Sequence, residues 1–175
     1  MTTSMPRYFQ ATHRRLLGGE HPCYGSDVRA HRLRLEALLA RGVTTFIDLT
    51  DAVFENRITP YGALLRTRRT NGLPVSYNHH PIPDTGVPRS VAYAREILDV
   101  VDAALLNREV VYVHCRTGVG RTGTLLALHL VRHGTSPVDA LHQVQQAWQR
   151  DTRSAIWKLC PQTEAQRRYV LEWPE

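Results

Sequence analysis

One stretch of ten residues carries the groups that could do chemistry, HCRTGVGRTG at residues 114–123. Its cysteine can act as a nucleophile once it is ionised, and an arginine six residues later offers a planar guanidinium that binds two oxygens of an anion at once. Glycines between them let the backbone curl with its N–H groups pointing inward. The pattern therefore predicts a loop that cradles a phosphoryl group beside a cysteine thiolate.

Each residue of this loop has an expected role. Cys115 is the predicted nucleophile, and the Thr122 hydroxyl is expected to donate to its sulfur when the thiolate leaves a phosphorylated intermediate. His114 is expected to fix the loop by hydrogen bonding rather than to act as a base, because a thiolate needs none. The residues expected to bind the phosphate oxygens are Arg116, Thr117, Gly118, Val119, Gly120 and Arg121.

The residues on either side place this loop between a strand and a helix. The run VVYV at residues 110–113 is β-branched and aromatic, which is typical of a buried strand, and TLLAL at residues 124–128 favours a helix. A loop that leads into a helix N-terminus has unpaired N–H groups and the positive end of the helix dipole directed at one spot.

HCRTGVGRTG resembles the Cys-x5-Arg-Ser/Thr signature loop of the protein tyrosine phosphatase superfamily in its small dual-specificity form. With the strand TFIDLT at residues 45–50, the pattern also looks like a group of small bacterial phosphatases. The resemblance spans roughly residues 43–169. It implies an enzyme that hydrolyses phosphate monoesters, most of all phosphotyrosine in proteins and also phosphoserine and phosphothreonine, through a phosphocysteine intermediate and without metal or other cofactor. The alternative, a buried structural cysteine on a strand-to-helix turn, is disfavoured because every motif position is in register.

A second chemical element is the stretch PIPDTGVP at residues 81–88, where two prolines and a glycine frame one carboxylate. Expelling an alkoxide from phosphorus needs a proton donor, and Asp84 is the predicted general acid. The stretch resembles the acid loop of small dual-specificity phosphatases, in which Ile-Pro-Asp precedes the cysteine by about thirty residues. Two alternatives remain: Asp84 only stabilises a turn, or the acid is Asp48 or Asp51.

A third element, PQTEAQRRY at residues 161–169, resembles the Gln-Thr-x-x-Gln segment of the larger tyrosine-specific phosphatases. The resemblance implies that Gln162 orients the hydrolytic water and that Gln166 assists. An ordinary helix start with exposed polar residues explains the segment equally well. The chain has no convincing match to the phosphotyrosine-recognition loop of those enzymes, although Tyr61 or Tyr24 could line the pocket.

Two other functions remain as alternatives. A phosphoinositide phosphatase uses similar chemistry, but such enzymes usually carry lysines inside the loop, whereas Arg116 is the added charge here. A non-enzymatic phosphate-binding module would lack the nucleophile or the acid, and the sequence offers candidates for both.

Composition narrows the remaining possibilities. A formal net charge of +6 suits an anionic ligand, but the basic residues are scattered and only one of the 22 is a lysine, so we expect no nucleic-acid partner. No apolar stretch is long enough to span a membrane, and no secretion signal opens the chain. The three cysteines, and the histidine pair His79-His80, lack metal-ligand spacing, so we expect no metal, and a cytoplasmic location.

The hydrophobic pattern predicts an α/β fold. Strands are predicted at residues 15–17 (a short edge strand), 43–49, 75–82 and 110–113. Helices are predicted at residues 27–41, 61–70, 90–107, 124–133, 137–148 and 162–172. Residues 1–175 are expected to form a single phosphatase domain with residues 1–15 irregular, built on a central, mostly parallel sheet of four or five strands with helices on both faces.

Overall fold

A five-stranded sheet lies at the centre of the molecule. The computed structural model describes residues 8–10, 14–51 and 58–175. The seven strands are β1 (Tyr8–Phe9), β2 (Leu16–Glu20), β3 (Val43–Asp48), β4 (Arg69–Thr70), β5 (Leu73–Pro74), β6 (Ser76–His79) and β7 (Val110–Cys115). The central sheet has the order β1-β2-β7-β3-β6, in which β1 is antiparallel and the other four strands are parallel. The predicted α/β class and mostly parallel sheet are confirmed.

Helices cover both faces of this sheet. They are α1 (Val28–Ala40), α2 (Gly62–Leu65), α3 (Val91–Leu106), α4 (Gly120–Arg132), α5 (Pro137–Gln149) and α6 (Glu164–Leu171), with a short 3₁₀ helix at Thr152–Ala155. Alternate residues of β7 enter two separate cores, since Val111 and Val113 pack with α3–α6 and Tyr112 packs with α1 and α2. The strand that carries Cys115 is therefore buried on both faces, as a parallel sheet requires.

The helix starts follow from short polar side chains. Asp27, Ser90 and Ser136 each accept a hydrogen bond from a backbone N–H in the first turn of α1, α3 and α5, respectively. Gly42 and Gly134 end two helices with positive φ values of 95° and 90°. The predicted ends of α1, α3, α4 and α5 agree with the structure to within two residues, apart from the start of α4, which lies at Gly120.

The predicted helix at residues 61–70 is wrong over most of its length. Only α2, four residues long, is helical, and the chain then forms the β4–β5 hairpin. The turn between these strands is Asn71-Gly72, with φ values of 52° and 80°. Two consecutive residues with positive φ match the twist of a two-residue hairpin, so this pair joins two strands where a helix end was expected.

The strand predicted at residues 15–17 is present as β2, but it is longer and does not lie at the edge of the sheet. β2 continues through Gly18 and Gly19 to Glu20, and it lies between β1 and β7. A Cβ on Gly18 would lie 2.6 Å from a methyl carbon of Leu126 in α4, so the glycine lets helix and sheet pack closely. The strand predicted at residues 75–82 is shorter, covering Ser76–His79.

The segment predicted to be irregular, residues 1–15, contains a short strand. Within it Tyr8–Phe9 form β1, and residues 1–7 and 11–13 lie outside the described part of the chain, as do residues 52–57. Val28, the first residue of α1, is 73% exposed, because the buried face of this helix begins one turn later at His31. None of the described helices combines the length and the apolar character needed to cross a membrane.

Candidate active site

The loop between β7 and α4 is shaped by a close approach of two backbones. Gly118 has a φ of 77°, and a Cβ at this position would lie 2.3 Å from the carbonyl carbon and oxygen of Gly19 in β2. Only glycine satisfies both the left-handed φ and this contact. A Cβ on Gly120, the first residue of α4, would lie 2.8 Å from the side-chain amide of Gln166. The loop is thus packed between β2 and α6.

Groups outside the loop hold its carbonyls. The backbone N–H of His21 donates to the carbonyl of Arg116 over 3.1 Å, and the Arg153 guanidinium donates to that of Thr117 over 2.7 Å. In a trans peptide the N–H points opposite to the C=O, so the N–H groups of Thr117 and Gly118 face the interior of the loop.

Cys160 holds the last carbonyl of the loop. Its thiol lies 3.2 Å from the Val119 carbonyl and donates to it. Burial raises the pKa of Cys160 well above its ordinary value, so this thiol keeps its proton. No side chain caps the start of α4, where Gly120, Arg121 and Thr122 are buried. The loop is therefore a concave set of N–H donors at a helix N-terminus, which suits an anion.

Cys115 ends β7 at the base of this loop and is 2% exposed. Thr122 lies in the first turn of α4, and its hydroxyl is buried without a hydrogen-bond partner among the described residues. A buried hydroxyl without a partner costs free energy unless a ligand or a reacting group uses it. The role predicted for Thr122, donation to the sulfur, would give this hydroxyl a partner.

Arg121 is 2% exposed, and backbone carbonyls fix its guanidinium. Nη1 donates to the carbonyl of Leu49 over 3.3 Å and to that of Ile82 over 3.0 Å. Both carbonyls belong to segments that leave the carboxyl ends of parallel strands, where the ligand sites of such sheets lie. The remaining Nη2 lies 3.0 Å from Oδ1 of Asp84.

Asp84 connects the stretch PIPDTGVP at residues 81–88 to the phosphate loop. Its Oδ1 lies against Arg121, and its Oδ2 lies 3.1 Å from Nη2 of Arg116. Oδ1 also accepts the N–H of Thr85, and Gly86 N–H donates to the carbonyl of Pro83 over 2.9 Å, so the carboxylate also belongs to a tight turn. Both weighed interpretations of Asp84 are thus present in the structure. The turn presents a carboxylate, 36% exposed, at the edge of the phosphate loop.

The two predicted glutamines are placed differently. Gln166 is fully buried, and its Nε2 donates to the carbonyl of Gly86 over 3.0 Å while its Oε1 accepts the N–H of Thr163. The Thr163 hydroxyl in turn accepts the N–H of Gln166, which completes a capping box at the start of α6. Gln166 therefore joins the Asp84 turn to the beginning of α4, whereas Gln162 is exposed and precedes the helix that was expected to include it.

His114 lies beneath the loop and is completely buried. Its Nε2 is hydrogen-bonded to the hydroxyl of Tyr61, which ties the first residue of the loop to the core beneath it. Burial lowers the pKa of His114 to about 3, so the ring is neutral near pH 7. Tyr61 is itself fully buried, which corrects the suggestion that it lines the pocket. Tyr24, the other suggested residue, is half-buried and pairs with Ile58.

Asp48, weighed above as a rival acid, is 2% exposed and engaged on both oxygens. Oδ1 accepts the N–H and the hydroxyl of Thr50, and Oδ2 accepts the hydroxyl of Tyr77. Burial by itself would raise the pKa of Asp48, but His114, His21 and these hydrogen bonds hold it well below its usual range. A carboxyl group that stays ionised cannot deliver a proton, so Asp48 is not suited to the role of general acid.

Several residues of the site escaped the sequence analysis. His21 and Arg153 hold the loop from segments that carry no motif, and no signal in the sequence indicates them. Thr163 could have been found, because Thr-x-x-Gln before an amphipathic run is the signature of a capping box. Gln166 had been given an assisting role with water, and its buried position between two loops adds a structural one.

Comparisons with known proteins identify the family of the chain. A family model described as "Tc-R-P: Polymorphic toxin system, DSP-PTPase phosphatase" matches residues 24–135, more than half of the chain. The Arabidopsis thaliana Protein-tyrosine-phosphatase PTP1 is 37% identical over 65 residues, which are 35% of this chain and 19% of that protein. The matched region thus spans about a fifth of that relative.

Solved structures share the architecture over nearly the whole chain. Tk-PTP in its active form aligns with a TM-score of 0.65 at 20% identity, over 96% of each chain. PTPMT1 in complex with PI(5)P aligns with a TM-score of 0.67 at 17% identity, over 95% of this chain and 93% of that one. At these identities the two structures establish a shared fold alone.

Proposed function

Since the chain belongs to the DSP-PTPase phosphatase family of polymorphic toxin systems, and is thus a cysteine-dependent phosphatase of the dual-specificity type, we propose that it hydrolyses phosphotyrosine in proteins, with phosphoserine and phosphothreonine as further substrates. One observation carries the proposal: Asp84 lies 3.0 Å from Arg121, beside a loop whose N–H groups face inward. Nucleophile, anion site and proton donor are then within reach of one phosphate ester.

The first step transfers the phosphoryl group to sulfur. The Cys115 thiolate attacks phosphorus in line with the leaving oxygen, so that an S–P bond forms as the P–O bond breaks. The loop N–H groups and the Arg121 guanidinium bind the three equatorial oxygens, whose charge they stabilise in the transition state. Asp84, in its acid form, gives its proton to the departing oxygen, and the alcohol or phenol leaves.

The second step frees the enzyme. Asp84, now a carboxylate, takes a proton from a water molecule that attacks phosphorus, and the S–P bond breaks to release phosphate and the thiolate. Thr122 donates to the sulfur as it leaves. Gln162 is the candidate for orienting the water, and it lies exposed, one residue before the Thr163–Gln166 capping box.

The contact between Asp84 and Arg121 bears on substrate entry. Without a ligand, the carboxylate neutralises Arg121 and Arg116, the two guanidiniums expected to bind phosphate oxygens. An incoming phosphate dianion takes over these arginines and frees Asp84, which takes up a proton from solvent and can then give it to the leaving oxygen. The same residue thus serves as a counter-ion before binding and as the acid after it.

Hydrolysis of p-nitrophenyl phosphate in the presence of a chelator tests the reaction. Cys115→Ser should lower kcat at least ~10³-fold while the variant still binds phosphate esters, because it loses the nucleophile but keeps the loop. Cys23→Ser makes the same chemical change in the core on the opposite face of the sheet and should retain activity. Appreciable turnover by Cys115→Ser would refute the mechanism.

A phosphoinositide substrate is the second candidate. Arg116 places an additional charge at the loop, 38% exposed, where it can contact a second anionic group of the substrate. The fold is shared with PTPMT1, whose structure contains PI(5)P. A panel of phosphotyrosine, phosphoserine and phosphothreonine peptides, run against phosphoinositides in mixed micelles, decides between the two. If kcat/KM is higher for the phosphoinositides than for the peptides, the substrate is a lipid and the proposal of a protein substrate is wrong.

We place the site of action in the cytoplasm. The three cysteines are buried and unpaired, and the mechanism requires one of them to stay reduced. A reducing compartment meets this need, and cytoplasmic phosphoproteins would supply the substrate.

A further inference from the structure

Two histidines and a carboxylate meet where the C-terminal half of α4 packs on α3. His129 and His133 lie one turn apart on α4, with ring centroids 4.5 Å apart, and Asp102 lies on α3. Nε2 of His129 is 3.2 Å and Nε2 of His133 is 3.0 Å from the same oxygen, Oδ1 of Asp102. All three potential ligand atoms lie within 4.8 Å of one another.

His129 is buried and directed into this cluster. Its side chain is 9% exposed, and neither ring nitrogen has a hydrogen-bond partner in the described part of the chain. Nε2 is close enough to Asp102 for a hydrogen bond but does not have the geometry of one. A buried nitrogen without a partner costs roughly 1–3 kcal/mol. A cation shared with the Asp102 carboxylate would give the lone pair of this imidazole a partner.

The spacing of the ligand atoms matches a tetrahedral metal site. Zinc binds imidazole nitrogen and carboxylate oxygen at about 2.0–2.2 Å, which puts two ligands of a tetrahedron roughly 3.3 Å apart. The two nitrogen–oxygen distances are 3.0 and 3.2 Å, and all three ligand atoms lie within 4.8 Å of one another.

The charges around the cluster also favour a cation. Arg132 donates to Asp99 over 2.7 Å, to Oδ2 of Asp102 over 3.3 Å and to Glu175 over 2.9 Å, and Arg95 contacts Glu175 as well. Three carboxylates therefore face two guanidiniums, which leaves one negative charge when the imidazoles are neutral. Arg132 holds Oδ2 and so turns Oδ1 toward the histidines, as a group behind a metal ligand does.

We propose that Asp102, His129 and His133 bind one Zn²⁺ ion. Two imidazoles and a carboxylate suit this borderline-soft ion, and a water molecule completes the tetrahedron. His129 follows the start of α4 by nine residues, about 13 Å along the helix axis, so the ion lies apart from the phosphate loop. It joins α3, which follows the Asp84 turn, to α4, which follows the phosphate loop, and takes no part in the hydrolysis.

Calorimetric titration of the chelator-treated full chain with ZnCl₂ tests the proposal. All proteins carry Cys115→Ser, so that the loop thiol cannot bind the ion. We expect one equivalent of Zn²⁺ to bind and to raise Tm. His133→Gln and Asp102→Asn should each weaken binding at least ~10-fold and abolish the rise in Tm. His133 is 55% exposed, so its substitution keeps the fold even where a change at buried His129 would not.

A matched control comes from His142→Gln, which removes an exposed histidine of α5 outside the cluster and should bind Zn²⁺ like its parent. Equal affinity in the parent, His133→Gln and Asp102→Asn would overturn the proposal, as would the absence of stoichiometric binding. Either result would mean that the cluster binds no metal ion and that Asp102 is simply hydrogen-bonded to His133. Because neither readout is hydrolysis, the result is independent of the proposed function.

Discussion

Two arginines hold the carboxylate of Asp84 in place. Its carboxylate contacts Arg121, which is almost fully buried, and Arg116, which is 38% exposed. The buried contact acts in a region with little water and is the stronger of the two, since exposed ion pairs contribute little. Both arginines are also the groups expected to bind phosphate, so acid and substrate compete for the same guanidiniums until the phosphate displaces the carboxylate.

Asp84→Asn tests both halves of this arrangement. Without a proton donor, kcat for alkyl phosphates should fall by ~10²–10⁴, and that for p-nitrophenyl phosphate by less, because nitrophenolate leaves without a proton. Inhibition by inorganic phosphate should become tighter, since Arg121 and Arg116 lose their anionic competitor. Rates and inhibition constants measured over a series of leaving groups check both expectations. An equal loss for every leaving group would contradict the acid role.

Arg153 acts on substrate through the loop backbone and is a positioning residue. It donates to the Thr117 carbonyl and is held by Asp151, which accepts both from its guanidinium and from its backbone N–H. It also lies 5.0 Å from the ring of Trp148. These contacts fix the peptide plane whose N–H, on Gly118, points at the expected phosphate position.

Arg153→Lys keeps the charge but not the planar fork, so it cannot hold Asp151 and Thr117 together. We expect the inhibition constant for phosphate to rise about tenfold, the loss of one charged hydrogen bond, and the midpoint of urea unfolding to fall, because Arg153 is buried against Asp151. Arg150→Lys, an exposed arginine at the end of α5, serves as the control. A large loss of stability without weaker phosphate binding would show that Arg153 is only structural.

At the scale of the elements, the close approach of β2 to the phosphate loop decides the shape of the site. Gly118 packs on the backbone of Gly19, and Gly18 admits α4. Two adjacent glycines in a strand are unfavourable for the strand itself, since they add backbone entropy to the unfolded chain. Here they allow loop and helix to lie directly on the sheet, which explains why β2 runs through residues that predict a turn.

Gly118→Ala should therefore destabilise the fold more than a positive φ alone does. Alanine in the left-handed region costs about 1–2 kcal/mol, and the collision with Gly19 adds about 1–3 kcal/mol. Gly134→Ala is the matched control, because Gly134 has a φ of 90° and no atom within 4 Å of the added Cβ. Urea unfolding of both variants measures the difference. Equal losses would mean that the loop does not pack on β2 as described.

The start of α6 can be predicted from the sequence, but its contacts cannot. The Thr163–Gln166 capping box fixes where α6 begins, and both residues are readable in the sequence. Their contacts with Thr85 and Gly86 are not readable, because 78 and 80 residues separate the partners. The hairpin at Asn71-Gly72 was readable as well, since Asn-Gly is the strongest short signal for a two-residue turn.

For the whole molecule, a buried polar cluster beneath the site links stability to pH. Burial lowers the pKa of His114 from 6.5 to about 3, so below pH 6.5 the unfolded chain binds a proton that the folded chain refuses. The pKa of Asp48 also lies below its usual range. Its contribution to stability is present above that range and is lost as the pH falls through it. Both groups make the folded state weaker in acid.

The free energy of unfolding should therefore decrease as the pH falls from 6.5 toward 4, by up to ~1.4 kcal/mol per pH unit for His114. Urea unfolding at a series of pH values measures the slope of the unfolding free energy against pH. His114→Gln should reduce this slope by up to ~1.4 kcal/mol per pH unit, which corresponds to one proton. His142→Gln, which changes an exposed histidine, should leave the slope as it is. If His114→Gln keeps the full slope, the proton uptake belongs to another group.

The sequence by itself determined the chemistry and the class of fold. A cysteine and an arginine six residues apart, placed between a β-branched run and a helix, specify their own loop, because strand, turn and helix propensities act over a few residues. The caps at Asp27, Ser90 and Ser136 are local in the same sense. These features need no distant partner, and a sequence pattern can carry them.

Only the tertiary structure decided which residues surround that loop. Asp84 meets Arg121 across 37 residues, and Arg153 meets Thr117 across 36. Asp102 meets His133 of α4 across 31 residues. Such contacts form because the parallel strands align their carboxyl ends and the helices pack on both faces of the sheet. Their positions depend on the packing of the whole core, which no short window of sequence contains.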